Sequence, residues 1–469
     1  MQLLPGLLTF VLLLTSCAAP AQPTMAPVNV NEPEFHAPVL DRTFETSLLV
    51  TEWKGGSKGN FLFPLDPATG TPLPDYTPIS LGYTFFHAFS PDRETLAVVS
   101  FPNQSSTKGN LVLIDLRAWK TRYLALEING WVNSIIFSPD GKRLAITHGD
   151  SRFTLTMVDI EQEVITAQNR VDSFVSRLQF TENGEELMLY RPTINSPHGM
   201  TAGPPQVLLL DAADLTQLWS AELEEVHDGI FPKDENVTSA NIHEPGQAFY
   251  ISPGLVFAPD RDALYIVHAD SEKLTTVDFQ SQTIETVGIQ NKLTWFERLL
   301  TMTADVAHAK IGDGITRQAA ISLNGQYLYI VGVNNSTFED SQGNWQMEQT
   351  PLGLEILQTK DGSRVEQVET DTTELSLSPD GRFLYLRNWG DNQDNIPWTE
   401  IFDTASGKFV TRKSGISGVP ALLMNGEFLL VSTYSTAETS HHMSVFAPDA
   451  SRVLAEWTAP QYIWWLSTP

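Results

Sequence analysis

An all-β protein, a β-propeller of four-stranded blades, is the fold this 469-residue sequence predicts. Three observations carry the expectation. A turn-and-strand phrase recurs seven times, a second phrase ending in aspartate follows most copies, and a surplus copy of the second phrase sits near the N-terminus. Strand-only repeats at a period of roughly 40 to 80 residues mean a ring of blades rather than a sandwich or a helical solenoid.

The first phrase reads Phe89-Ser-Pro-Asp-Arg-Glu-Thr-Leu96, Phe137-Ser-Pro-Asp-Gly-Lys-Arg-Leu144, Phe180-Thr-Glu-Asn-Gly-Glu-Glu-Leu187 and Phe257-Ala-Pro-Asp-Arg-Asp-Ala-Leu264. It continues in Ile321-Ser-Leu-Asn-Gly-Gln-Tyr-Leu328, Leu377-Ser-Pro-Asp-Gly-Arg-Phe-Leu384 and the weaker Leu423-Met-Asn-Gly-Glu-Phe-Leu429. Proline presets φ for the second turn position, aspartate bonds back to the local backbone, and glycine accepts a left-handed conformation without steric cost. Arg93 and Arg261 stand where glycine would, so those turns are expected either to carry strain or to take another geometry. Apolar runs such as Leu264-Tyr-Ile-Val267 follow each turn, a hairpin signal and not a helical one.

The second phrase is a strand, a short turn and an outer strand. Its copies include Leu111–Asp115, Leu155–Asp159, Val207–Asp211, Leu274–Asp278 and Glu400–Asp403. An aspartate series of this kind suggests a ring of metal ligands or acids. The better reading is local: an aspartate ending a strand caps the turn that follows.

There are seven first phrases but eight second ones, the surplus being Phe61–Asp66. The chain ends in Tyr462-Ile-Trp-Trp-Leu-Ser-Thr-Pro469, which looks like a first phrase cut off at its turn. This last strand is therefore expected to complete the blade begun by Ser47–Thr51, closing the ring and removing open edges. Eight blades is the literal count; seven follows if residues 46 to 80 lie outside the ring. The Ser-Pro-Asp-Gly phrases resemble the WD-repeat-like and TolB-type bacterial propeller repeats over residues 46 to 469. That resemblance implies the fold and no particular function, because propellers carry enzymes, receptors and scaffolds alike. The Trp-Asp dipeptide of the eukaryotic repeat is absent, so no partner carries over.

Leu7 through Leu14 form an apolar core of signal-peptide length, too short to span a bilayer. They lead to Leu14-Thr15-Ser16-Cys17, which resembles a bacterial lipoprotein box, implying cleavage before Cys17 and lipid attachment to it. No Lys or Arg precedes the apolar core, a departure that leaves a plain secretory signal as the alternative. The expected organisation is a signal peptide at 1–16, a lipidated Cys17 with a Pro/Ala-rich tether at 17–40, and one propeller at 41–469. Cys17 is the sole cysteine, which excludes an internal disulfide and a thiolate metal site from the mature domain. The protein is thus expected outside the cell membrane, touching lipid through its anchor alone, and monomeric.

The net charge is −27. So acidic a surface repels phosphate backbones, which excludes nucleic acid as a partner. Its plain explanation is solubility.

Loop lengths indicate a working face. The long segments are second turns or links between blades: 190–206, 223–250, 290–317, 333–353 and 388–399, all expected as loops on one face at the mouth of the central channel. Candidate ligand contacts there are Arg191, His198, Trp345, Trp389 and Trp398, the tryptophans for stacking on a sugar or clamping a peptide. Asp391 and Asp394 supply oxygen for calcium, without the glycine and distal glutamate of an EF-hand loop. His227-Asp228, His243-Glu244 and His441-His442 are adjacent pairs, and neighbours on a strand point to opposite faces. Spacing at Phe296, Leu299, Leu300, Thr303 and Val306 predicts one amphipathic helix within 293–310.

Two functional classes follow, with a structural role in an envelope assembly behind them. The first is a non-catalytic module holding a protein, peptide or glycan on the loop-rich face. The second is a propeller hydrolase of lactonase or glycan-cleaving type, with Asp391, Asp394, His198 or His243 converging at the channel mouth and calcium as the possible cofactor.

Overall fold

The computed structural model describes residues 48–465 apart from 54–58, 67–70, 85, 104, 150–152, 172–174, 196–199, 234–236, 238–246, 261, 292–313, 340–342, 344, 389–397, 415–420, 424–427, 436–439, 448 and 460–462. The described residues belong to one compact unit, Pro38–Pro469. Five antiparallel sheets each contain four strands consecutive in the chain. Their first strands are His87–Phe89, Trp131–Phe137, Gly254–Phe257, Glu374–Leu377 and Ala421–Leu423. A further sheet, Arg177–Phe180, Glu186–Arg191, Gln206–Asp211 and Gln217–Glu222, has the small hairpin Ile194–Asn195 and Met200–Thr201 between its second and third strands. Another joins Ile79–Gly82, Asn60–Leu65 and Leu48–Trp53 to Ile463–Trp465 from the far end of the chain, with Val50 opposite Trp465 and Glu52 opposite Ile463. The meander Gly314–Ile321, Tyr327–Glu339, Leu354–Gln358 and Ser363–Val368 is extended at both edges into an eight-stranded sheet. His87–Phe89 lies beside Trp131–Phe137 and that strand beside Arg177–Phe180, and Gly314–Ile321 lies between Gly254–Phe257 and Glu374–Leu377, the arrangement of innermost strands. The protein is an all-β propeller of four-stranded blades.

Where their side chains are described, the second and third strands of the blades are largely apolar on both faces because blades pack face to face. Leu96–Val99 and Leu111–Ile114 are buried throughout, and Val99, Leu111 and Leu113 meet Ile135, Leu144 and Ile146 of the next blade. Each such side chain contributes about 1.5–3 kcal/mol on burial. The fourth strands face water on one side; Val164–Val171 is mostly exposed or half-exposed.

The recurring turn is held identically in five blades. Ser138 Oγ donates to Asp140 Oδ1 (2.6 Å) and accepts from Arg143 N (2.9 Å), while Gly141 N donates to Ser138 O (2.9 Å). Ser90, Thr181, Ser322 and Ser378 bond Asp92, Asn183, Asn324 and Asp380 in the same way. Gly141, Gly184, Gly325 and Gly381 have φ between +70° and +73°. Arg93 adopts φ +60°, so its turn keeps the geometry and carries the strain, roughly 1–2 kcal/mol. Arg261 lies outside the described residues.

These turns also touch one another. A Cβ on Gly141 would sit 3.6 Å from Pro91 Cδ, on Gly184 3.1 Å from Pro139 Cδ, and on Gly325 3.6 Å from Pro259 Cδ. On Gly381 it would fall 2.9 Å from Leu323 Cγ, the residue standing where the preceding turn would have proline. The proline of one turn is thus the floor beneath the glycine of the next.

The strand-ending aspartates cap turns, as local chemistry predicts. Oδ1 of Asp115, Asp159, Asp211 and Asp278 accepts from the backbone N of Ala118, Gln162, Ala213 and Ser281, each at 2.7 Å, and Asp403 Oδ1 accepts from Ala405 N at 2.9 Å. Two blades carry a further tie that no sequence motif announced. His148 Nε2 lies 2.8 Å from Thr156 Oγ1, which accepts from Gln168 Nε2, and His268 Nε2 lies 2.7 Å from Thr275 Oγ1, which pairs with Thr286. Burial pushes His268 down to about 4 and holds His148 below the usual histidine range. Both rings are therefore neutral near pH 7 and serve as struts across their blades.

Three of the five segments expected as loops are β-ribbons in part. Gly229–Pro232 pairs with Ala248–Ser252 within 223–250, the small hairpin occupies 190–206, and within 333–353 Tyr327–Glu339 runs on to pair with Trp345–Pro351. The physical reason is backbone satisfaction: a long excursion pairs its own N–H and C=O groups instead of leaving them to water. The helix expected within 293–310 lies outside the described residues. Among the described residues no helix is long and apolar enough to cross a membrane.

Candidate functional site

The ribbon Gly229–Pro232 and Ala248–Ser252 does not stay with its own blade. Ala248–Ser252 lies parallel to the innermost strand Gly314–Ile321, with Tyr250 opposite Gly314 and Ser252 opposite Thr316. Gly314 permits the approach, since a Cβ there would stand 3.2 Å from Tyr250 O. The ribbon is thereby an extra strand on the channel side of that blade.

Beside it is a cavity of about 450 Å³. Its walls come from three innermost strands and the residues beside them: Ser176 and Arg177 from one blade, Ser252, Pro253 and Leu255 at the next, and Thr316 to Gln318 from the third. Asp228, Gly229 and Tyr250 of the ribbon complete it. A volume of this order suits a sugar-sized ligand group.

Asp228 is buried and accepts a hydrogen bond from Tyr190 Oη at 2.9 Å. Burial pushes its carboxyl up to about 6, while the Tyr190 bond and the nearby Arg177 pull it down. Its neighbour His227 turns the other way, to Asp270 Oδ2 at 2.6 Å. The two members of this sequence pair thus have separate partners.

Arg317 is held from behind. Its Nη1 donates to Glu355 Oε2 at 3.2 Å, and Arg364 Nη2 reaches the same oxygen at 3.4 Å. Arg317 and Glu355 side chains are 9% and 6% exposed, so this is a buried charge cluster that fixes the guanidinium in place. Gly332 stands opposite Arg317 on the next strand, and a Cβ there would lie 3.1 Å from Arg317 Cγ. The absence of a side chain at that position leaves the arginine its path across the strand. Arg317 Nε and Ser176 Oγ are buried without a hydrogen-bond partner.

The residues singled out from sequence fall elsewhere. Arg191 ends its strand and donates through Nε (3.1 Å) and Nη2 (2.5 Å) to Gln206 Oε1 directly across the sheet. Trp398 is half-buried under the Arg412 guanidinium, 4.2 Å from its ring centroid, within its own sheet. Trp345 opens a strand opposite Glu339. His198, Trp389, Asp391 and Asp394, with the calcium site the last two suggested, lie outside the described residues, as do Cys17 and the tether. Among the described residues no three metal-ligating side chains cluster. Sequence reasoning missed Arg177, Asp228 as a cavity residue, Tyr250 and Arg317. The available signal was an arginine in each of two innermost strands, Arg177 at the start of one and Arg317 in the middle of the other.

No family model matches the sequence, and no curated protein sequence matches it. Solved structures do. Dihydro-heme d1 dehydrogenase NirN in complex with DHE aligns with a TM-score of 0.53 and 10% identity, over 92% of this chain and 77% of that one. A eukaryotic initiation factor aligns with a TM-score of 0.50 and 13% identity, over 90% and 99%. The Myceliophteria thermophila Cps50 (Swd1) β-propeller domain aligns at 0.40 and 10% identity, over 81% and 97%. At such identities likeness shows the fold alone. By fold and site the chain is a propeller of four-stranded blades with a polar cavity at its innermost strands.

Proposed function

We propose that this chain is an exported, lipid-anchored binding module, attached through Cys17 and holding a group of a protein, peptide or glycan ligand in the cavity between the ribbon and the innermost strands. In this reading the sheets are eight blades of one ring, closed where Ile463–Trp465 pairs with Leu48–Trp53. The observation that carries the binding role is the cavity itself: about 450 Å³ enclosed by innermost strands and the ribbon, with Arg177, Asp228 and Arg317 among its lining residues. Ser176 Oγ has no base bonded to it, so it is not an activated nucleophile.

A second reading, a propeller hydrolase, is favoured by one observation. Asp228 is a carboxyl raised to about 6 in a cavity beside Arg177, the kind of perturbed acid that proton transfer uses. Arrays of soluble glycans and peptides probed with the protein separate the two. Saturable binding without product, weakened by Arg177→Ala, supports the module. Turnover of a lactone or glycoside that Asp228→Asn abolishes supports the hydrolase, and array binding that Arg177→Ala leaves untouched removes the cavity from either role.

A further inference from the structure

We propose that the cavity is an anion site: it takes a carboxylate or phosphate carried on a sugar-sized molecule, with Arg177 and Arg317 as donors and Asp228 accepting from a neighbouring hydroxyl. This rests on the binding reading above and names its ligand class. The chain carries a net charge of −27, yet the charged side chains lining this cavity are two arginines and one aspartate. Local charge here opposes the global one, and at short range inside a concave site the local charges decide.

The arginines are arranged for recognition rather than for holding blades together. Arg317 is nine-tenths buried, and its Nη1 is anchored by Glu355. Glu355 also serves Arg364, so this one carboxylate is shared between two guanidinia. Arg177 Nη1 donates to the backbone oxygen of Ser176 at 2.8 Å, and among the described residues no carboxylate forms a salt bridge with it. Its remaining N–H groups are open to an incoming oxyanion. Guanidinia that keep unpaired N–H groups match the fork of a carboxylate or phosphate. A cation would meet two like charges at short range.

The other walls select what bears the anion. Tyr250 is 45% exposed and offers a ring face, while Asp228 offers a carboxylate suited to hydroxyl groups. An apolar acid would strand that carboxylate, whereas a sugar acid or sugar phosphate engages it.

Calorimetric titration of the full-length protein with glucuronate, glucose 6-phosphate and the neutral glucuronamide tests the assignment. The expected result is binding of at least one anion, about tenfold or more tighter than the amide, because a charge-assisted bond is lost in the amide. Tighter glucuronate marks a carboxylate site and tighter glucose 6-phosphate a phosphate site. Arg177→Gln should weaken the preferred anion about tenfold, and Asp228→Asn should strengthen it by removing a like charge. Arg317→Gln disturbs the Glu355 cluster and fold, so the surface-lining Arg177→Gln variant decides. Three results overturn the inference: no binding of either anion at millimolar concentration, amide binding as tight as glucuronate, or anion binding unchanged in Arg177→Gln. If the amide binds as well as the acid and Arg177→Ala still weakens array binding, the anion assignment fails and the binding module stands. If Arg177→Ala spares array binding as well, both fail.

Discussion

Asp228→Asn should make the protein more stable, and increasingly so as pH rises from about 4 to above 6. Burial lifts this group from 3.8 to about 6, and the Tyr190 hydrogen bond and Arg177 offset only part of that. A carboxyl raised in the folded state binds protons there that the unfolded chain releases, so its contribution favours folding at low pH and is lost as pH rises through about 6. Above that, the buried carboxylate costs about 3 kcal/mol, since each tenfold change in proton affinity is worth about 1.4 kcal/mol. Asparagine keeps an oxygen for Tyr190 Oη and carries no charge. The expected gain is about 3 kcal/mol near pH 8, falling to about 1 kcal/mol near pH 4.5. For a unit of this size that is on the order of 3 °C in Tm at the higher pH and 1 °C at the lower. Scanning calorimetry of wild type and variant at both values measures it. A Tm difference independent of pH, or a less stable variant near pH 8, would refute the account of Asp228 as a charge the fold holds at a cost.

Three further outcomes follow from other parts of the molecule. Gly141→Ala should cost about 1 kcal/mol from the left-handed backbone alone, whereas Gly381→Ala should cost clearly more because its Cβ would fall 2.9 Å from Leu323 Cγ; urea unfolding of the pair compares them. His268, held neutral with its proton affinity lowered to about 4, contributes stability present above about pH 6.5 and lost as pH falls toward 4, so His268→Gln should flatten the acid side of the stability curve by up to about 3 kcal/mol, read by unfolding across that range. Deleting residues 462–469 removes the partners of Val50, Thr51 and Glu52 and should expose that strand edge, giving aggregates in gel filtration; a monomer of unchanged Tm contradicts the closure proposed above.

The repeats were legible because their chemistry is local. Ser138, Pro139, Asp140 and Gly141 complete their turn within a few residues, and Asp159 caps the turn that immediately follows it. The same held for Arg93, where sequence posed two alternatives and the backbone took the strained one. What escaped was non-local. Arg177, Asp228 and Arg317 reach one cavity only because a ribbon leaves its own blade to lie along Gly314–Ile321, a parallel pairing that no neighbouring residues announce. Gly332 was equally silent, since its meaning depends on Arg317 in the adjacent strand. Arg191 drew attention by standing at the head of a long segment, yet its guanidinium is occupied by Gln206 across the sheet.

The contact of Pro91 with Gly141, repeated by Pro139 with Gly184 and by Pro259 with Gly325, makes the turn half of a two-part joint. Each copy brings a ledge for its successor and a notch for its predecessor. A duplicated blade therefore arrives with both halves and can be spliced between existing neighbours without inventing a new fit. The number of blades is in this sense adjustable by copying, and wear at one joint will be felt one blade away from the altered residue.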